Sequence, residues 1–398
     1  MKILYFVSID EKNKTGLFNA THARIKVNSD KFHHKIYNLN FYDSFFLKIL
    51  KKILGKKVLR KEKECFIYDG IEYNNMYIKE TVVSKLMGYF GVDSLLYLNF
   101  LFQNKKLVKE YDLISAHWGH HPGSIAYFVK KAFRIPYVVT WHGSDIHTLP
   151  REQKYKKIIL RNLKGASQNI FVSSYLLEEA KKIGYNLSQN KIIYNGVNFN
   201  HFQVMKKSDK EMIKKDLGIE GKVIGYVGNL VHIKGVDRLP KILGKVIEKQ
   251  KDSCLLIVGD GELRDSIIKK ASSYNVKTYF MGKVAPMEVQ KYINIMDVMI
   301  LPSRKEGLPC VLLEAQACGT HVVGSSNGGI PEAILDRNCI VKDDDEFEEQ
   351  FASKILEVLS SKDESINCIE DLQGTFDWVK GGGIEYSLYK EIIKMNRT

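Results

Sequence analysis

Residues 300–332 read ILPSRKEGLPCVLLEAQACGTHVVGSSNGGIPE. We expect this stretch to contain the end of a strand, then a loop, then a helix. The apolar run from Val298 to Leu301 predicts a buried strand. Pro309 suits the first turn of a helix, where its missing N–H would have had no partner, so we expect a helix over residues 308–318. A strand followed at once by a helix is the repeating unit of a parallel sheet.

The start of the predicted helix has the chemistry of an anion site. Unpaired N–H groups and a partial positive charge allow a phosphate to bind there without a metal. Two carboxylates, Glu306 and Glu314, lie eight positions apart across the same junction. They would repel a phosphate, so we expect them to bind hydroxyl groups beside it, such as a ribose diol at Glu314. The residues that would line the phosphate are Gly307, Leu308, Cys310 and Val311.

This stretch resembles the E-x7-E signature of family 4 glycosyltransferases, which are retaining enzymes of the GT-B fold that use nucleotide sugars. The flanking residues agree as well, because the pattern PSxxEGLPxxLLEAxAxGxxVVxSxxGGIPE can be read almost without gaps. The resemblance implies that Glu306 contacts the donor sugar and Glu314 the ribose. A surface loop followed by an amphipathic helix is the alternative.

The segment GYVGNLVHIKGVD, residues 225–237, follows another predicted strand and precedes a helix. Lys234 is placed there to meet a phosphate as a point charge. The family usually has G-R-L-x-x-x-K-G here, with Arg and Lys neutralising the leaving diphosphate. Asn229 replaces the Arg, so the resemblance implies that Lys234 stabilises more of the charge and that Asn229 donates a hydrogen bond. The structural alternative for Lys234 is an exposed loop lysine.

Two histidines follow strands of the first half. His142, in PYVVTWHGSD, lies just beyond a buried strand, and the resemblance implies that it contacts hydroxyls of the donor sugar. His117, in SAHWGHHPG, ends the preceding strand and is a candidate for the acceptor side. His120 and His121 nearby could suggest a metal, but no matching carboxylate cluster is evident, so we expect no metal site.

Three further segments carry weaker signals. The loop at Asn13–Gly16 matches the place of a Gly-Gly turn against the diphosphate in the family, and only Gly16 agrees. Residues 282–284 correspond to backbone that holds the nucleobase in the family, which makes Val284 a donor-binding candidate. The Asp-Asp-Asp run at 343–345 predicts a helix N-terminus, where acidic residues complement the dipole, rather than a metal site.

The length of 398 residues suits two domains. The expected fold is α/β and GT-B, with two doubly wound Rossmann-like domains facing across a cleft. We expect an acceptor-binding domain over residues 1–203 and a nucleotide-sugar-binding domain over 204–375. In the family the last helix, here 376–398, crosses back onto the first domain; a solvated terminal helix is the alternative. Strands are predicted at residues 2–8, 113–116, 137–140, 223–227, 254–258, 278–281, 298–301 and 321–324.

Charge is unevenly distributed along the chain. Residues 1–200 hold 32 basic and 16 acidic side chains, whereas the remainder holds 28 and 30. The asymmetry points to an anionic partner for the first half: nucleic acid, an acidic membrane face or a charged acceptor. Residues 45–63, FFLKILKKILGKKVLRKEK, have apolar residues at helical spacing and predict a basic amphipathic helix that can lie in an anionic membrane interface. Packing of its apolar face on the sheet is the alternative.

Three features of the sequence bear on where the protein is located in the cell. The opening residues MKILYFVSID predict a first strand rather than a signal peptide. No apolar run approaches the roughly 20 residues needed to cross a bilayer. The six cysteines are scattered without metal-ligand spacing, which fits a reducing cytoplasm.

These patterns together predict a metal-independent hexosyltransferase without a cofactor. It would move a sugar from a nucleotide-diphosphate sugar, UDP favoured over GDP, to a lipid-linked or glycan acceptor in cell-surface polysaccharide or glycolipid synthesis. We expect it in the cytoplasm, peripheral on the inner face of the cell membrane. One alternative is a nucleotide-sugar epimerase of similar architecture, against which the full E-x7-E stretch argues. The other is a basic nucleic-acid-binding protein, for which no aromatic-basic motif is evident.

Overall fold

The structure is a computed structural model that describes residues 1–12, 16–361 and 369–397. The chain forms two compact units: the first holds Met1–Tyr194 and the residues from Trp378 onward, and the second holds Asn195–Asp377. Each unit is built on its own, mostly parallel sheet, which confirms the predicted class of two Rossmann-like α/β domains.

The division between the units differs from the predicted boundaries after residues 203 and 375. Val197 pairs with Asp377 in an isolated bridge, and its N–H donates to the carbonyl of Phe376 at 2.8 Å. The two segments in which the chain passes between the units therefore lie side by side. Residues 195–203 belong to the second unit.

The first unit contains an eight-stranded sheet in the order β3-β4-β2-β1-β5-β6-β7-β8, parallel except for the hairpin of β3 and β4. Strands β1 and β5 are parallel neighbours in the middle of the sheet. From β1 the chain adds β2, β4 and β3 toward one edge, and from β5 it adds β6, β7 and β8 toward the other. The elements are β1 Lys2–Val7, α1 Gly16–Lys26, β2 His33–Asp43, α2 Phe45–Ile53, β3 Cys65–Tyr68, β4 Ile71–Glu80, α3 Val82–Tyr89, α4 Ser94–Val108, β5 Leu113–His117, α5 His121–Phe133, β6 Tyr137–Trp141, α6 Ser144–His147, α7 Gln153–Gly165, β7 Gln168–Phe171, α8 Ser174–Lys182 and β8 Asn190–Ile192.

The second unit contains a six-stranded parallel sheet in the order β11-β10-β9-β12-β13-β14. Its chain starts in the middle at β9, runs to one edge, returns to β12 and runs to the other edge. Ligands of such sheets bind beyond the carboxyl ends of the two strands where the order reverses, here β9 and β12. The elements are α9 Lys207–Asp216, β9 Lys222–Val227, α10 Leu239–Lys249, β10 Ser253–Val258, α11 Arg264–Ser273, β11 Thr278–Gly282, α12 Val289–Asn294, β12 Val298–Leu301, α13 Cys310–Ala317, β13 His321–Ser325, α14 Ile330–Ala333, β14 Ile340–Val341, α15 Phe347–Ser360 and α16 Ile369–Thr375, and α17 Trp378–Arg397 then returns to the first unit.

All eight predicted strands are present, within one residue at either end, but two predicted helix bounds are wrong. Helix α13 begins at Cys310, because Pro309 has an extended ψ of 95° and precedes the first turn instead of occupying it. Helix α2 ends at Ile53 rather than continuing to residue 63. Gly55 has a φ of +63°, a left-handed conformation that stops the helix.

Helix α17 is fixed to the first unit by buried polar contacts. The Arg24 guanidinium donates to the Glu385 carboxylate of α17, and both side chains are almost fully buried. Arg24 also donates to the carbonyl of Tyr194 at 3.1 Å, where the chain leaves the unit. Four residues further along α17, the hydroxyl of the buried Tyr389 lies 2.9 Å from that of Ser115. Helix α17 is therefore an integral part of the first unit and not a solvated tail.

Glu385→Ala should destabilise the first unit by about 3–5 kcal/mol, because it leaves the Arg24 charge buried without its partner. Replacing both residues, Arg24→Met with Glu385→Leu, should cost less than Glu385→Ala alone. Urea unfolding followed by circular dichroism measures both effects. The matched control is Arg397→Ala, which removes an exposed pair with Asp112 on the same helix and should cost at most about 1 kcal/mol. Equal losses in Glu385→Ala and the control would contradict a structural role for the buried pair.

Candidate functional site

The carboxyl ends of β9 and β12 bring Lys234 and Glu306 together. Lys234 ends a short 3-10 turn, His232–Lys234, after β9, and Glu306 lies in the loop after β12. The Lys234 Nζ lies 2.7 Å from each carboxylate oxygen of Glu306. An ammonium group has three N–H donors, so one remains for a ligand after both carboxylate oxygens are bound.

Two glycines allow these loops to approach each other. Gly235, next to Lys234, has a φ of +65°, and a Cβ there would lie 2.0 Å from the carbonyl oxygen of Pro302. Gly328 also has a φ of +65°, and a Cβ there would lie 2.4 Å from the carbonyl oxygen of Glu306. Gly329 donates its N–H to that same carbonyl at 3.0 Å. The site therefore requires glycine at both positions.

Other charges around this loop are paired. The Ser303 hydroxyl donates to Glu306 Oε1 at 3.0 Å. Arg304 donates to both carboxylate oxygens of Asp237, at 2.7 and 2.8 Å. Arg238 donates to Asp343 in the same way, at 3.2 and 2.8 Å. Asp343 is thus the partner of an arginine. The acidic run at 343–345 directly precedes α15, which begins at Phe347 with Glu348 and Glu349 in its first turn, as predicted.

Glu314 differs from these paired groups. It lies in the middle of α13, partly exposed, and no side chain or main-chain group in the described residues hydrogen bonds with its carboxyl. Burial raises the pKa of Glu314 to about 7. A half-buried carboxyl without a protein partner is a group whose hydrogen-bonding capacity is free for a ligand.

The other donor residues predicted in the second unit also lie beyond the carboxyl ends of its strands. Asn229 is exposed in the loop after β9, where its carbonyl accepts from Tyr226 at 3.0 Å. Val284 follows β11. The four residues at the start of α13 lie between Glu306 and Glu314 and are at least partly buried: Gly307, Leu308, Cys310 and Val311.

In the first unit, His117 and His142 come together at the carboxyl ends of β5 and β6. His117 Nδ1 and His142 Nε2 are 3.3 Å apart. The buried Asp145 carboxylate accepts the N–H groups of Gly119 at 3.0 Å and Gly143 at 2.8 Å, and so ties the loop after β5 to the loop after β6. Burial raises the pKa of Asp145 to about 6, although these N–H groups act in the opposite direction.

Both histidines are neutral at physiological pH. Burial, followed by the charge of Arg24, lowers the pKa of His117 to about 3. Burial and the neighbouring His117 lower the pKa of His142 well below its usual value. The Nε2 atom of His117 is buried without a hydrogen-bond partner. His117 is therefore closed to a ligand, which does not fit its predicted place on the acceptor side, whereas His142 is partly exposed and offers a neutral imidazole that can exchange hydrogen bonds with a polar ligand.

No group of three metal-ligating side chains occurs within residues 1–12, 16–361 and 369–397. His120 and His121 contact aromatic residues instead, Tyr155 and Phe41 respectively. Gly16 begins α1, and the remainder of the loop predicted at Asn13–Gly16 lies outside the described residues.

Sequence reasoning missed the residues that hold the site in place. Asp145 was visible in the segment HGSD only as part of a turn, although a buried carboxylate after a strand could have suggested a loop anchor. The glycines Gly235 and Gly328 follow a lysine and an asparagine, and that pattern alone does not show which carbonyl lies against them. Ser303 gave no signal of its contact with Glu306.

Two family models match the chain. The model described as Glycosyltransferase Family 4 matches residues 69–201, and the model described as Glycosyl transferases group 1 matches residues 209–373. The second match includes Lys234, Glu306 and Glu314.

Individual proteins agree with these matches. TuaC of Bacillus subtilis (strain 168), a glycosyltransferase provisionally assigned to teichuronic acid biosynthesis, is 35% identical over 224 residues, which are 55% of this chain and 54% of that protein. The N-acetyl-alpha-D-glucosaminyl L-malate synthase of Bacillus anthracis is 28% identical over 294 residues, 71% of this chain and 76% of that protein. The match with TuaC thus spans about half the length of that relative.

A solved structure shares the fold over nearly the whole chain. Anabaena Alr3699/HepE, crystallised in complex with UDP and glucose, gives a TM-score of 0.75 with 18% identity, covering 98% of this chain and 100% of that chain.

Glu314→Gln should stabilise the protein at pH 8. Because burial raises the pKa of Glu314 to about 7, the folded protein keeps a proton there that the unfolded chain releases above about pH 4.3. The free energy of unfolding is therefore higher at low pH, where Glu314 is protonated in both states, and it falls as the pH rises from about 4.3 through 7. Glutamine stays neutral, so its advantage over wild type should shrink as the pH is lowered from 8 toward 4.5.

Thermal unfolding at the two pH values measures this difference. The matched control is Glu262→Gln, since Glu262 is exposed in the same unit, and it should show the same Tm difference at both pH values. A Tm difference for Glu314→Gln that does not change with pH would contradict the raised pKa.

Proposed function

Because the chain belongs to the glycosyltransferases of the GT-B fold and is related to family 4, we propose that it transfers a sugar from a UDP-sugar to a lipid-linked or glycan acceptor in the synthesis of cell-surface polysaccharide or glycolipid. The observation that carries this proposal is the Lys234–Glu306 pair, beside the start of a helix whose next carboxyl, Glu314, has no protein partner. The bound UDP and glucose in the Anabaena protein support a UDP-sugar as donor.

The second unit binds the donor. Lys234 and the N–H groups at the start of α13 meet the diphosphate, since both supply positive charge at the strand ends where ligands of such sheets bind. Glu314 accepts hydrogen bonds from the ribose hydroxyls, and Glu306 contacts the sugar while it holds Lys234. Asn229 donates to a phosphate oxygen, and the backbone at Val284 holds the base. The site needs no metal, because Lys234 and the helix start supply the positive charge.

The reaction retains the configuration at the anomeric carbon. The bond between that carbon and the diphosphate oxygen breaks, and negative charge grows on the leaving UDP. Preorganised positive groups stabilise such charge more in the transition state than in the ground state. The acceptor hydroxyl attacks from the same face, forms the new glycosidic bond and gives its proton to the leaving phosphate. The reaction therefore requires no protein base.

The first unit binds the acceptor. His117 and His142 are neutral and lie side by side at the carboxyl ends of β5 and β6, where the partly exposed His142 exchanges hydrogen bonds with sugar hydroxyls and the buried His117 holds it in position. The high ratio of basic to acidic residues in this half suits an acceptor at an anionic membrane. We place the protein in the cytoplasm, on the inner face of the cell membrane. Within the described residues no helix is long and apolar enough to span a bilayer.

A panel of nucleotide sugars tests the proposal. The matching donor at 100 times its Kd should stabilise the protein by about 2.7 kcal/mol in a thermal-shift measurement. Product formed from that donor and a lipid-linked acceptor should have the anomeric configuration of the donor by NMR. Conversion of the donor in the absence of any acceptor would instead identify an epimerase, and stabilisation by no nucleotide would contradict the proposal.

Lys234→Ala should lower kcat by on the order of a hundredfold, as expected when one preorganised stabiliser of developing charge is lost. Lys241→Ala, on the exposed face of α10, is the matched control and should leave kcat unchanged. Asn229→Arg should remain active, because it restores a second cation beside the diphosphate. Initial rates at saturating donor measure all three variants. A near-wild-type kcat for Lys234→Ala with an unchanged fold would contradict its phosphate role.

Glu306→Ala and Glu314→Ala should differ in what they change. Loss of the ribose contact in Glu314→Ala should weaken UDP binding by about tenfold, the value of one hydrogen bond to a charged group. Glu306→Ala should lower kcat more than donor affinity, because it frees Lys234 from its position and removes the sugar contact. Calorimetry with UDP and steady-state kinetics separate the two. Equal, unaltered kinetics in both variants would refute the assignment.

A further inference from the structure

The first unit exposes large apolar side chains over three of its helices, α2, α3 and α4. Of the 27 large apolar side chains that are exposed in the described residues, 16 lie between Phe45 and Phe102, and all of these except Ile67 of β3 lie in or directly beside the three helices. A concentration of this kind marks an interaction surface, because soluble proteins rarely leave large apolar patches uncovered. The 15 residues, which we call the three-helix surface, are Phe45, Phe46, Ile49, Leu50, Ile53, Leu54, Val82, Val83, Leu86, Tyr89, Phe90, Val92, Leu95, Leu98 and Phe102.

Each helix turns an apolar face to solvent. Helix α2 buries Leu47, whereas Phe46 and Ile53 are 75% and 76% exposed. Every residue of α3 is at least partly exposed. Helix α4 packs Tyr97 inward and leaves Phe102 80% exposed. The alternative that residues 45–63 pack their apolar stripe on the sheet is therefore wrong.

The three helices form one surface because of the sheet beneath them. Strands β2 and β4 are parallel neighbours, with Asp43 opposite Glu80 at their carboxyl ends. Helix α2 begins two residues after β2 and α3 begins two residues after β4. The Ser44 N–H before α2 donates to the carbonyl of Glu80 before α3, at 2.8 Å. Helix α4 follows and contacts α3.

The polar side of this surface is basic. Residues 45–61 hold seven basic and no acidic side chains. Lys51 pairs with the buried Asp43 at 2.6 Å, which anchors α2. A groove of about 350 Å³ beside α2 is lined by Phe45, Lys48, Ile49, Lys52, Val58 and Arg60. Its three cations form no ion pair with any residue that the structure describes.

We propose that the three-helix surface binds a bilayer of anionic phospholipids and that the groove holds a lipid phosphate between Lys48, Lys52 and Arg60. Basic residues beside apolar ones are the combination that holds a helix in a charged interface: the apolar side chains enter the acyl boundary and the cations meet the headgroups. Since His142 follows β6 at the same carboxyl edge of the sheet from which α2 and α3 begin, a bilayer bound at this surface would lie on the side where His142 is partly exposed. The inference rests on the proposed function for the acceptor and goes beyond it in naming the surface and the lipid group.

Vesicle flotation with the full chain tests the surface. Wild type should bind vesicles of phosphatidylcholine with phosphatidylglycerol and ignore vesicles of phosphatidylcholine alone. Charge attraction is screened over about 8 Å at physiological ionic strength, so binding should weaken with salt and leave a salt-resistant remainder from the apolar side chains. The variant Lys48→Glu/Lys52→Glu/Arg60→Glu should lower the partition coefficient by at least about tenfold. The variant Phe46→Ser/Ile53→Ser/Phe102→Ser should lose the salt-resistant remainder.

Matched variants in the second unit control for net charge and for apolar exposure. They are Lys251→Glu/Lys269→Glu/Lys270→Glu and Met212→Ser/Met287→Ser, all at exposed positions, and both should bind vesicles like wild type. UDP should stabilise every variant equally, which shows that the variants are folded. If the control charge variant lost as much binding as the groove charge variant, binding would depend only on net charge. That result would overturn the assignment of the groove as a lipid-phosphate site.

The remaining outcomes separate the inference from the proposed function. Wild type that is stabilised by UDP but ignores anionic vesicles overturns the inference alone, and if the apolar variant then turns a dimer into a monomer, the surface is an interface between copies. Wild type that binds vesicles but no nucleotide sugar overturns the proposed function and supports the surface. Release from vesicles by inorganic phosphate, but not by potassium chloride at equal ionic strength, would make the groove a site for soluble anions and overturn the lipid assignment.

Discussion

The contact between Lys234 and Glu306 can form only because the backbone after β9 lies against the backbone after β12. Gly235 and Gly328 permit that approach, and any side chain at either position would strike a carbonyl oxygen. The approach also brings charged side chains close together, since three acids, two arginines and a lysine lie in or beside these loops. Each of these charges is satisfied by a neighbour, with the arginines bound by Asp237 and Asp343. The carboxyl of Glu314 differs from these charges, because it has no hydrogen-bond partner within the residues that the structure describes.

In the first unit, too, two loops that follow neighbouring strands are held together, but by a different interaction. There Asp145 joins the loops after β5 and β6 by accepting main-chain N–H groups, without a counter-charge. The histidines beside it remain neutral because burial and the charge of Arg24 disfavour protonation. The two units therefore differ in chemistry: one offers fixed positive charge suited to a diphosphate, and the other offers neutral donors and acceptors suited to hydroxyl groups.

The sequence predicted the regular parts of this arrangement well, because each rests on local chemistry. Strand β12 was predicted to the residue from four apolar side chains between Asp297 and Pro302. Lys234 and Glu306 were each predicted as site residues, but their direct contact was not, because it depends on the strand order of the second sheet. Helix α2 was predicted too long, since the apolar spacing continues past Gly55 while the backbone does not. The ion pair of Asp343 with Arg238 was not predicted, because the two residues are distant in sequence.

The position of α17 has a consequence for how the chain is made. The second unit is continuous in sequence, whereas the first needs Glu385, Tyr389 and Ile392 from α17 to close its core. During synthesis the second unit can reach its final form while the first still lacks one of its helices. Until α17 is synthesised, the core residues of the first unit that it covers stay exposed, and transiently exposed apolar surface of this kind is prone to aggregation.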